Sequence, residues 1–135
     1  MVIEIVDNNP KYYEFIRLLR NDHRVQSGFI HNSEITAEQQ IEYMKKYRGC
    51  YIVGLVDGEP VGYAGSIYRD IRVCVKPDAQ GKGIAVRLIN DLMARFPDSY
   101  AKIKIDNEAS KSLFTKCGFK SKFIIMEHED ETQSV

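Results

Sequence analysis

The sequence predicts an α/β (α+β) fold in one domain, with a mixed sheet of about six or seven strands flanked by about four helices. Two observations lead to this prediction. The chain has 135 residues, which suits a single hydrophobic core. Its apolar residues recur at every second position in some segments and at every third or fourth position in others, which are the periods of strands and helices. No internal repeat, linker or low-complexity segment divides the chain, so we treat residues 1–135 as one domain.

The first third of the chain predicts one strand and two helices. Residues 2–6 alternate apolar and acidic side chains, as a half-buried strand does. Asn9 and Pro10 then provide an N-cap and a proline for a first helical turn. A polar loop of about ten residues follows that helix. Thr36 and Gln39 have the spacing of a capping box, which predicts the start of the second helix.

The middle of the chain predicts a hairpin, a further strand and a long helix. Residues 51–56 and 61–68 are rich in β-branched and aromatic side chains, and the Asp-Gly pair between them is typical of a hairpin turn. Residues 71–75 alternate again and predict a third strand in this group. Residues 84–96 carry an apolar stripe at helical spacing, which predicts the long helix.

The last third of the chain predicts two strands around a helix. Residues 101–105 alternate apolar and polar side chains and predict a strand. Asn107 begins a helix that Gly118 ends as a C-terminal cap. Residues 119–127 predict a last strand or pair of strands. The resulting order of strands and helices is typical of one sheet with helices on both faces.

The composition excludes several classes of function. Nineteen basic and nineteen acidic residues cancel, so no overall field attracts nucleic acid or an anionic membrane. The three cysteines are too scattered for a disulfide framework or a metal site, which indicates a reducing, cytoplasmic setting without a metal. The first residues do not resemble a signal peptide, and no apolar run approaches the roughly 18 residues of a membrane span. We therefore expect a cytoplasmic protein that binds neither nucleic acid nor a membrane.

The segment from Gln80 to Ala85 lies where the strand of the middle region turns into the long helix. A helix N-terminus presents backbone N–H groups without partners and a partial positive charge, so it binds phosphate. Gly81 and Gly83 would let a bulky anion come close, and Lys82 adds a cation. A tight strand-to-helix turn alone would also explain the two glycines. The glycine spacing does not fit a P-loop and fits the dinucleotide-binding fingerprint poorly.

This segment reads Gln-Gly-Lys-Gly-Ile-Ala and matches the pattern Gln/Arg-x-x-Gly-x-Gly/Ala. It resembles the central motif of the GNAT superfamily of acyl-CoA-dependent N-acetyltransferases. The resemblance extends to the preceding strand IRVCVKP, to the strand KIKID followed by Asn107, and to the run SLFTKCGF at 112–119. The order of elements along the full chain is also similar. The pieces occur in the order and at the spacing of the family.

The resemblance implies a GNAT-like fold with splayed central strands and acetyl-CoA as co-substrate. It implies that the motif loop binds the pyrophosphate, that the strand before it pairs with pantetheine, and that the helix after Asn107 lines the slot from the other side. A plain helix cap is an alternative and compatible role for Asn107. The implied cofactor-binding residues are Val73, Val75, Gln80, Gly81, Lys82, Gly83, Ile84, Ala85, Asn107 and Ser110.

The catalytic residues are less well defined by the resemblance. Many relatives place a tyrosine acid four residues before the Gly-Phe pair, where this chain has Phe114. A backbone N–H near Val75 would polarise the thioester oxygen. The candidate acids and bases are Asp70 at the start of the central strand, His31 in the loop after the first helix, and Ser112 as a substitute acid. Asp70 could equally be a turn residue, and His31 a solvated surface residue.

These features together predict an enzyme that transfers an acetyl group from acetyl-CoA to a primary amine of a small molecule. The run NEASKSLFTKCGF is similar to that of acetyltransferases acting on 4-amino groups of nucleotide-linked sugars, and Lys102, Lys104 or Arg24 could meet a phosphate. Two alternatives stay open. The acceptor could be a protein or peptide amine, or the chain could bind acyl-CoA as a sensor or interaction module without efficient turnover. An exposed final strand would offer an edge for a homodimer.

Overall fold

A computed structural model describes residues 1–30 and 33–129 of the chain. Its strands are β1 (Ile3–Asp7), β2 (Tyr51–Val56), β3 (Glu59–Ile67) and β4 (Asp70–Val75). They form one antiparallel sheet in the order β1-β2-β3-β4. The helices are α1 (Tyr13–Arg20), α2 (His23–Gln26), α3 (Ala37–Tyr47), α4 (Ile84–Arg95) and α5 (Glu108–Lys116). No helix in this part of the chain has the length and apolar character needed to cross a membrane.

The N-caps that the sequence predicts at Asn9 and Thr36 are formed. Asn9 accepts a hydrogen bond from the backbone N–H of Lys11 and leads a 3₁₀ turn into α1. Thr36 and Gln39 form both hydrogen bonds of the capping box at the start of α3. Asp22 caps the short helix α2 inside the segment that the sequence predicts as a loop. The described residues therefore contain five helices rather than four.

Two tight hairpins set the register of the sheet. The turn between β2 and β3 has positive φ at Asp57 (50°) and Gly58 (85°), as the Asp-Gly pair predicts. The turn between β3 and β4 has positive φ at Tyr68 (50°) and Arg69 (72°). Tyrosine and arginine rarely adopt this conformation, so this second turn has no signal in the sequence. It places Asp70 at the first position of β4.

The sheet carries a different layer of helices on each face. α4 covers one face, whose buried core is Ile52, Val61, Ala64, Ile71, Val75, Ala79, Ile84, Leu88, Ile89, Leu92 and Phe114. α1 and α3 cover the other face, whose buried core is Tyr12, Ile16, Leu19, Met44, Tyr51, Val53, Leu55, Tyr63, Ile67 and Cys74. Since side chains alternate along a strand, Arg72 lies on the α1/α3 face together with Cys74.

The α/β class and the helix layers agree with the prediction, but the sheet has fewer strands. Residues 101–105, expected as a strand, follow a single parallel bridge between Asp70 and Tyr100 and show no regular pairing of their own. Beyond this bridge the chain contacts the segment after α2, where Lys104 donates a hydrogen bond to the Ser27 carbonyl.

The last predicted strand, over residues 119–127, does not form in the part of the chain that the structure describes. A strand needs a paired neighbour to be stable, and residues 101–105 do not provide one. Four consecutive apolar side chains, Phe123 to Met126, are between 65% and 91% exposed as a result. The sheet edge that the sequence offers for a homodimer is therefore not formed by these residues.

Candidate functional site

The turn between β4 and α4 has the conformation that its glycines predict. Residues 77–79 form a 3₁₀ turn, and Gly81 and Gly83 follow with φ of +79° and +81°. Residues other than glycine, asparagine and aspartate are strained by about 1–2 kcal/mol in this left-handed region. A Cβ atom added to either glycine would meet no protein atom within 4 Å. The space in front of both glycines is open, so a ligand can reach the backbone there.

The first turn of α4 presents backbone donors without acceptors. Gly83 is the N-cap and has no side chain to cap the helix, and the first turn contains no acidic residue. The amides of Ile84, Ala85 and Val86 donate no hydrogen bond to any residue that the structure describes. They lie at the positive end of the dipole of a helix of 12 residues. With the exposed side chain of Lys82 beside them, they form an anion site suited to phosphate.

The outer edge of β4 is open over its second half. Asp70 is the first residue of β4 after the hairpin turn, so the backbone groups of Asp70, Arg72 and Cys74 bond to β3. The N–H and C=O groups of Ile71, Val73 and Val75, which alternate with them, point outward from the sheet. Ile71 shows this orientation, since its N–H donates to the Tyr100 carbonyl at 3.0 Å. Val73 and Val75 have the same orientation but no strand beside them. The gap between this edge and residues 101–105 is called the slot below.

Gln80 closes part of the open edge. Its side-chain Nε2 donates a hydrogen bond to the Val75 carbonyl at 3.0 Å. The Val75 N–H and both backbone groups of Val73 have no partner among residues 1–30 and 33–129. The side chain of Gln80 therefore holds the glycine loop against β4 and leaves the loop backbone to face the open space. The motif alone does not reveal this role.

The opposite wall of the slot consists of residues 104–107 and the N-terminus of α5. Asn107 caps α5 by accepting the Ser110 N–H at 3.1 Å. Its Nδ2 atom lies 3.4 Å from the position that a Cβ on Gly28 would take. Lys104 Nζ donates to the Ser27 carbonyl at 2.9 Å. The segment that follows α2 therefore lies against this wall.

A group of charged side chains lies at the closed end of the slot. Asp70 is the residue that bridges to Tyr100, and 19% of its side chain is exposed. Its Oδ2 atom is 3.5 Å from Arg72 Nη2 and 4.0 Å from Lys102 Nζ. Two cations thus share one carboxylate. Asp70, the candidate base, thus lies beside the slot. Arg72 lies next to it because of the hairpin register, and sequence reasoning does not include Arg72 among the site residues.

Tyrosine hydroxyls accompany this charged group on the α1/α3 face. The hydroxyls of Tyr43 and Tyr51 are 2.6 Å apart, and the rings of Tyr51 and Tyr63 are 6.0 Å apart. Burial raises the pKa of both Tyr51 and Tyr63 well above the usual range, and the positive charge of Arg72 opposes that rise. Sequence reasoning places these tyrosines in a helix and two strands but misses that they meet.

The thiols near the site are poor nucleophiles. Burial, and then the negative charge of Asp22, raises the pKa of Cys74 to about 12. The thiolate is the reactive form, so Cys74 is neutral and unreactive near pH 7. Burial also raises the pKa of Cys117, which packs at the edge of the α4 core.

The remaining catalytic candidates are not brought together. Phe114, at the position of the missing acid, is 5% exposed and packs edge-on against Phe119 with ring centroids 5.1 Å apart. Ser112 is exposed, two residues away along α5 and therefore on a different side of the helix. His31 lies outside the described residues. Within these residues, no group of three or more His, Cys, Asp or Glu side chains could hold a metal ion.

Sequence comparison relates this chain to one family of enzymes. A model of the family described as "Acetyltransferase (GNAT) family" matches residues 12–119, which is most of the chain. The match includes β2 to β4, the glycine loop and the whole of α4 and α5. A search of the curated proteins finds no significant match.

Structure comparison relates the fold to several acetyltransferases. An N-acetyltransferase from Staphylococcus aureus Mu50 has 23% identity and a TM-score of 0.74, with 89% of this chain and 84% of that chain covered. A spermidine N-acetyltransferase from Vibrio cholerae, solved with CoA and spermine, has 18% identity and a TM-score of 0.76, covering 93% and 85%. A phosphinothricin acetyltransferase from Sinorhizobium meliloti, solved with AcCoA, has 21% identity and a TM-score of 0.73, covering 89% and 76%. At these identities the likeness concerns the fold.

Proposed function

The chain belongs to the acetyltransferase (GNAT) family, and from this premise we propose that it transfers an acetyl group from acetyl-CoA to a primary amine of a small molecule. One observation carries the proposal. The amides of Ile84, Ala85 and Val86 have no acceptor among the described residues, and they lie beside the open space at Gly81 and Gly83. That arrangement suits a pyrophosphate, which acetyl-CoA carries.

The residues of the site fit acetyl-CoA along its length. The loop from Gln80 to Ala85 offers amide donors and the Lys82 cation to the pyrophosphate. The outward backbone groups of Val73 and Val75 offer a strand edge to the pantetheine amides. Asn107 and Ser110, at the start of α5, would line the opposite side of the slot. The neighbours solved with CoA or AcCoA support this assignment.

When bound, acetyl-CoA supplies the acetyl group as a thioester, and its thiol, with a pKa of about 8.5, is a tolerable leaving group. The outward N–H groups of Val73 and Val75 are the donors available to an oxygen that becomes negative. Asp70 is the best-supported base, because its carboxylate lies at the closed end of the slot, where it would take a proton from the acceptor amine. His31 and Ser112 stay predictions as base and acid.

A thermal-shift titration with acetyl-CoA, run beside ATP and NAD, tests this proposal. A ligand that binds only the folded chain raises the melting temperature as its concentration grows. We expect that rise for acetyl-CoA alone. No shift at about millimolar acetyl-CoA, or a larger shift with ATP or NAD, would contradict the proposal.

The substitution Gly83→Ala makes the test specific to the loop. We expect it to weaken acetyl-CoA binding about tenfold or more, because an alanine at a φ of +81° is strained and its Cβ enters the space open to the pyrophosphate. Gly58→Ala is the matched control, since Gly58 has a similar φ of +85° and a Cβ there also meets no atom within 4 Å, but the residue lies in the hairpin turn between β2 and β3. Equal affinities of the two variants would exclude the loop as the binding site.

For the acceptor we propose a nucleotide-linked amino sugar. Three cationic side chains, Lys102, Lys104 and Arg24, are candidates to bind the phosphates of such a sugar nucleotide. Lys102 lies 4.0 Å from Asp70 at the closed end of the slot. Arg24 is paired with Asp22, and Lys104 is bonded to the Ser27 carbonyl. We expect a nucleotide-linked 4-amino sugar to release CoA faster than peptide amines do. The reverse ranking would contradict this choice.

A second candidate function is an acyl-CoA sensor without efficient turnover. The observation that favours it is the burial of Phe114 at the acid position. A missing general acid slows a reaction by about 10²–10⁴-fold at most, and by less with a good leaving group, so the enzyme is the better-supported candidate. Release of free CoA with a broad panel of amines separates the two functions, because a sensor binds acetyl-CoA but releases none.

A further inference from the structure

Arg72 has an unusual position for a charged residue. It lies in the middle of β4, between Ile71 and Cys74, which are 8% and 7% exposed. Its own side chain is 42% exposed on the face that α1 and α3 cover elsewhere. The helix layer therefore leaves an opening over β4 at this residue. The opening lies beside the closed end of the slot, because Arg72 follows Asp70 by two positions on the same side of the strand.

The guanidinium of Arg72 has unused donors. An arginine carries five N–H donors in a planar fork. None of those of Arg72 makes a hydrogen bond to another described residue, and its ion pair with Asp70 is a loose one of 3.5 Å. The same Asp70 oxygen is also 4.0 Å from Lys102. This group of three side chains therefore keeps one positive charge in excess.

The residues around Arg72 add positive charge and aromatic rings. Arg20 lies over the ring of Tyr43 at 5.6 Å and has no carboxylate within ion-pair distance among the residues that the structure describes. The carboxylate of Asp22 is paired with Arg24 at 2.6 Å. The ring of Tyr51 lies over Gly65, which pairs with Arg72 across the sheet, and the ring of Tyr63 is 6.0 Å from that of Tyr51. An acceptor in this opening therefore meets the Arg72 guanidinium beside aromatic rings, with the positive charge of Arg20 on the same face of the sheet.

We propose that Arg72 determines acceptor specificity by binding an anionic oxygen group, a phosphate or a carboxylate, on the same molecule as the acceptor amine. The planar fork of arginine matches both groups with two parallel hydrogen bonds, and Lys102 and Arg20 supply further positive charge. The inference rests on the proposed acetyltransferase function. It concerns which acceptor amine the enzyme prefers, and it gives Arg72 a role in binding the acceptor.

The test uses the full chain with saturating acetyl-CoA and matched sets of primary amines. Each set contains an amine with a phosphate, the same amine with a carboxylate and the same amine with a neutral methoxy group, at several separations from the amine. We expect the anionic members to have KM values about tenfold or more below the neutral member, with similar kcat. Their KM should rise with ionic strength, because salt screens the attraction. Comparison of the phosphate and carboxylate members shows which anion is preferred.

Substitution of Arg72 separates binding from a structural role. Arg72→Gln should raise the KM of the anionic amines about 10- to 100-fold, the range for a lost charge-assisted hydrogen bond, and change that of the neutral amines by less than about twofold. Arg72→Lys should give an intermediate KM, because lysine keeps the charge but not the fork. Arg95→Gln is the matched control, since Arg95 pairs with Asp7 on the far end of α4 and should leave every KM unchanged.

The outcomes distinguish failure of this inference from failure of the proposed function. If acetyl-CoA does not shift the melting temperature of the wild-type chain, both are overturned. If the shift is present and amines release CoA, but the anionic members have KM values no lower than the neutral member, only the role of Arg72 is overturned. If the shift is present and no amine releases CoA, the proposed transfer reaction is overturned as well. A rise in KM of equal size for neutral and anionic amines in Arg72→Gln also overturns it, because that result indicates a structural role.

Discussion

The two faces of the sheet achieve stability in different ways. Under α4 the contacts are mainly aliphatic, and Leu88 packs directly over Gly54 and Gly62, whose Cβ positions would lie 3.2–3.5 Å from its methyl groups. The α1/α3 face instead buries tyrosine hydroxyls, the Cys74 thiol and the amide of Gln40, which is 1% exposed. Polar groups in a core must find partners, whereas aliphatic groups only need to fit. The first face fixes a helix in place, and the second carries chemical groups.

The difference matches the two halves of the proposed site. The anion site is made of backbone amides, and its position depends on how firmly α4 is held, since Ile84 at its start is 1% exposed. The acceptor opening is made of side chains at the end of the α1/α3 layer, where Arg72 is 42% exposed. Tight packing under α4 thus fixes the backbone amides of the anion site. Incomplete packing at the end of the α1/α3 layer exposes the side chains of the acceptor opening.

Leu88→Ala should have the largest effect on stability, because it removes aliphatic contacts that nothing else can replace. Leu88 is 0% exposed, and a buried leucine replaced by alanine costs about 2–5 kcal/mol in the free energy of unfolding. Urea denaturation measures this loss. Leu18→Ala, at a leucine that is 57% exposed, is the control and should cost less than about 0.5 kcal/mol. Similar losses in both variants would mean that α4 does not pack as described.

The Tyr43–Tyr51 pair provides a test of the polar face with a smaller expected effect. Tyr43→Phe should cost about 1–3 kcal/mol, because it leaves the hydroxyl of Tyr51, which is 4% exposed, without its partner. Tyr51→Phe should cost less, about 0.5–1.5 kcal/mol, because the half-buried Tyr43 can turn to water. The double variant should be no less stable than Tyr43→Phe alone.

Denaturation of the three variants measures these differences, and Tyr47→Phe is the control. The hydroxyl of Tyr47 meets that of the exposed Tyr68 at only 3.5 Å, so its removal should change stability by less than about 0.5 kcal/mol. A larger cost for Tyr51→Phe than for Tyr43→Phe would contradict the burial assigned to this pair.

Local signals explain what the sequence predicts correctly. The family match over residues 12–119 confirms the family that the glycine loop indicates. Gly81 and Gly83 have positive φ angles that glycine adopts readily, so the residue types alone predict the backbone conformation of the loop. The capping box of Thr36 and Gln39 is predicted for the same reason, since all of its partners lie within four consecutive residues.

Long-range geometry explains what the sequence does not predict. The alternation in 101–105 and 119–127 indicates strands, but whether a partner edge exists depends on the rest of the fold. The approach of Arg72 and Lys102 to the same Asp70 carboxylate depends on the register set by the turn at Tyr68 and Arg69, which carries no turn signal. The side chains that line the proposed site are therefore brought together by the fold, whereas the backbone conformation of the glycine loop follows from its residue types.

The smallest expected effect concerns the rim of the polar face. The hydrogen bonds from the Arg24 side chain, and then from its backbone, lower the pKa of Asp22 to about 2. A carboxylate whose folded-state pKa is depressed stabilises the fold above its ordinary pKa of about 3.9 and loses that contribution as the pH falls through the folded value. Asp22→Asn should keep the cap of α2, because asparagine caps as well as aspartate does, and remove only the charge.

The melting temperature of Asp22→Asn should therefore lie slightly below that of the wild-type chain from about pH 5 to 7, and the gap should close between about pH 4 and 2. Because the pair is exposed, salt should narrow the gap at neutral pH as well. Asp106→Asn is the control for the loss of one exposed carboxylate, because Asp106 has no ion pair among the described residues, and its melting temperature at neutral pH should stay close to that of the wild-type chain. A gap that persists at pH 2 would mean that Asp22 contributes through its shape and hydrogen bonding, as the buried polar groups of this face do, and not through its charge.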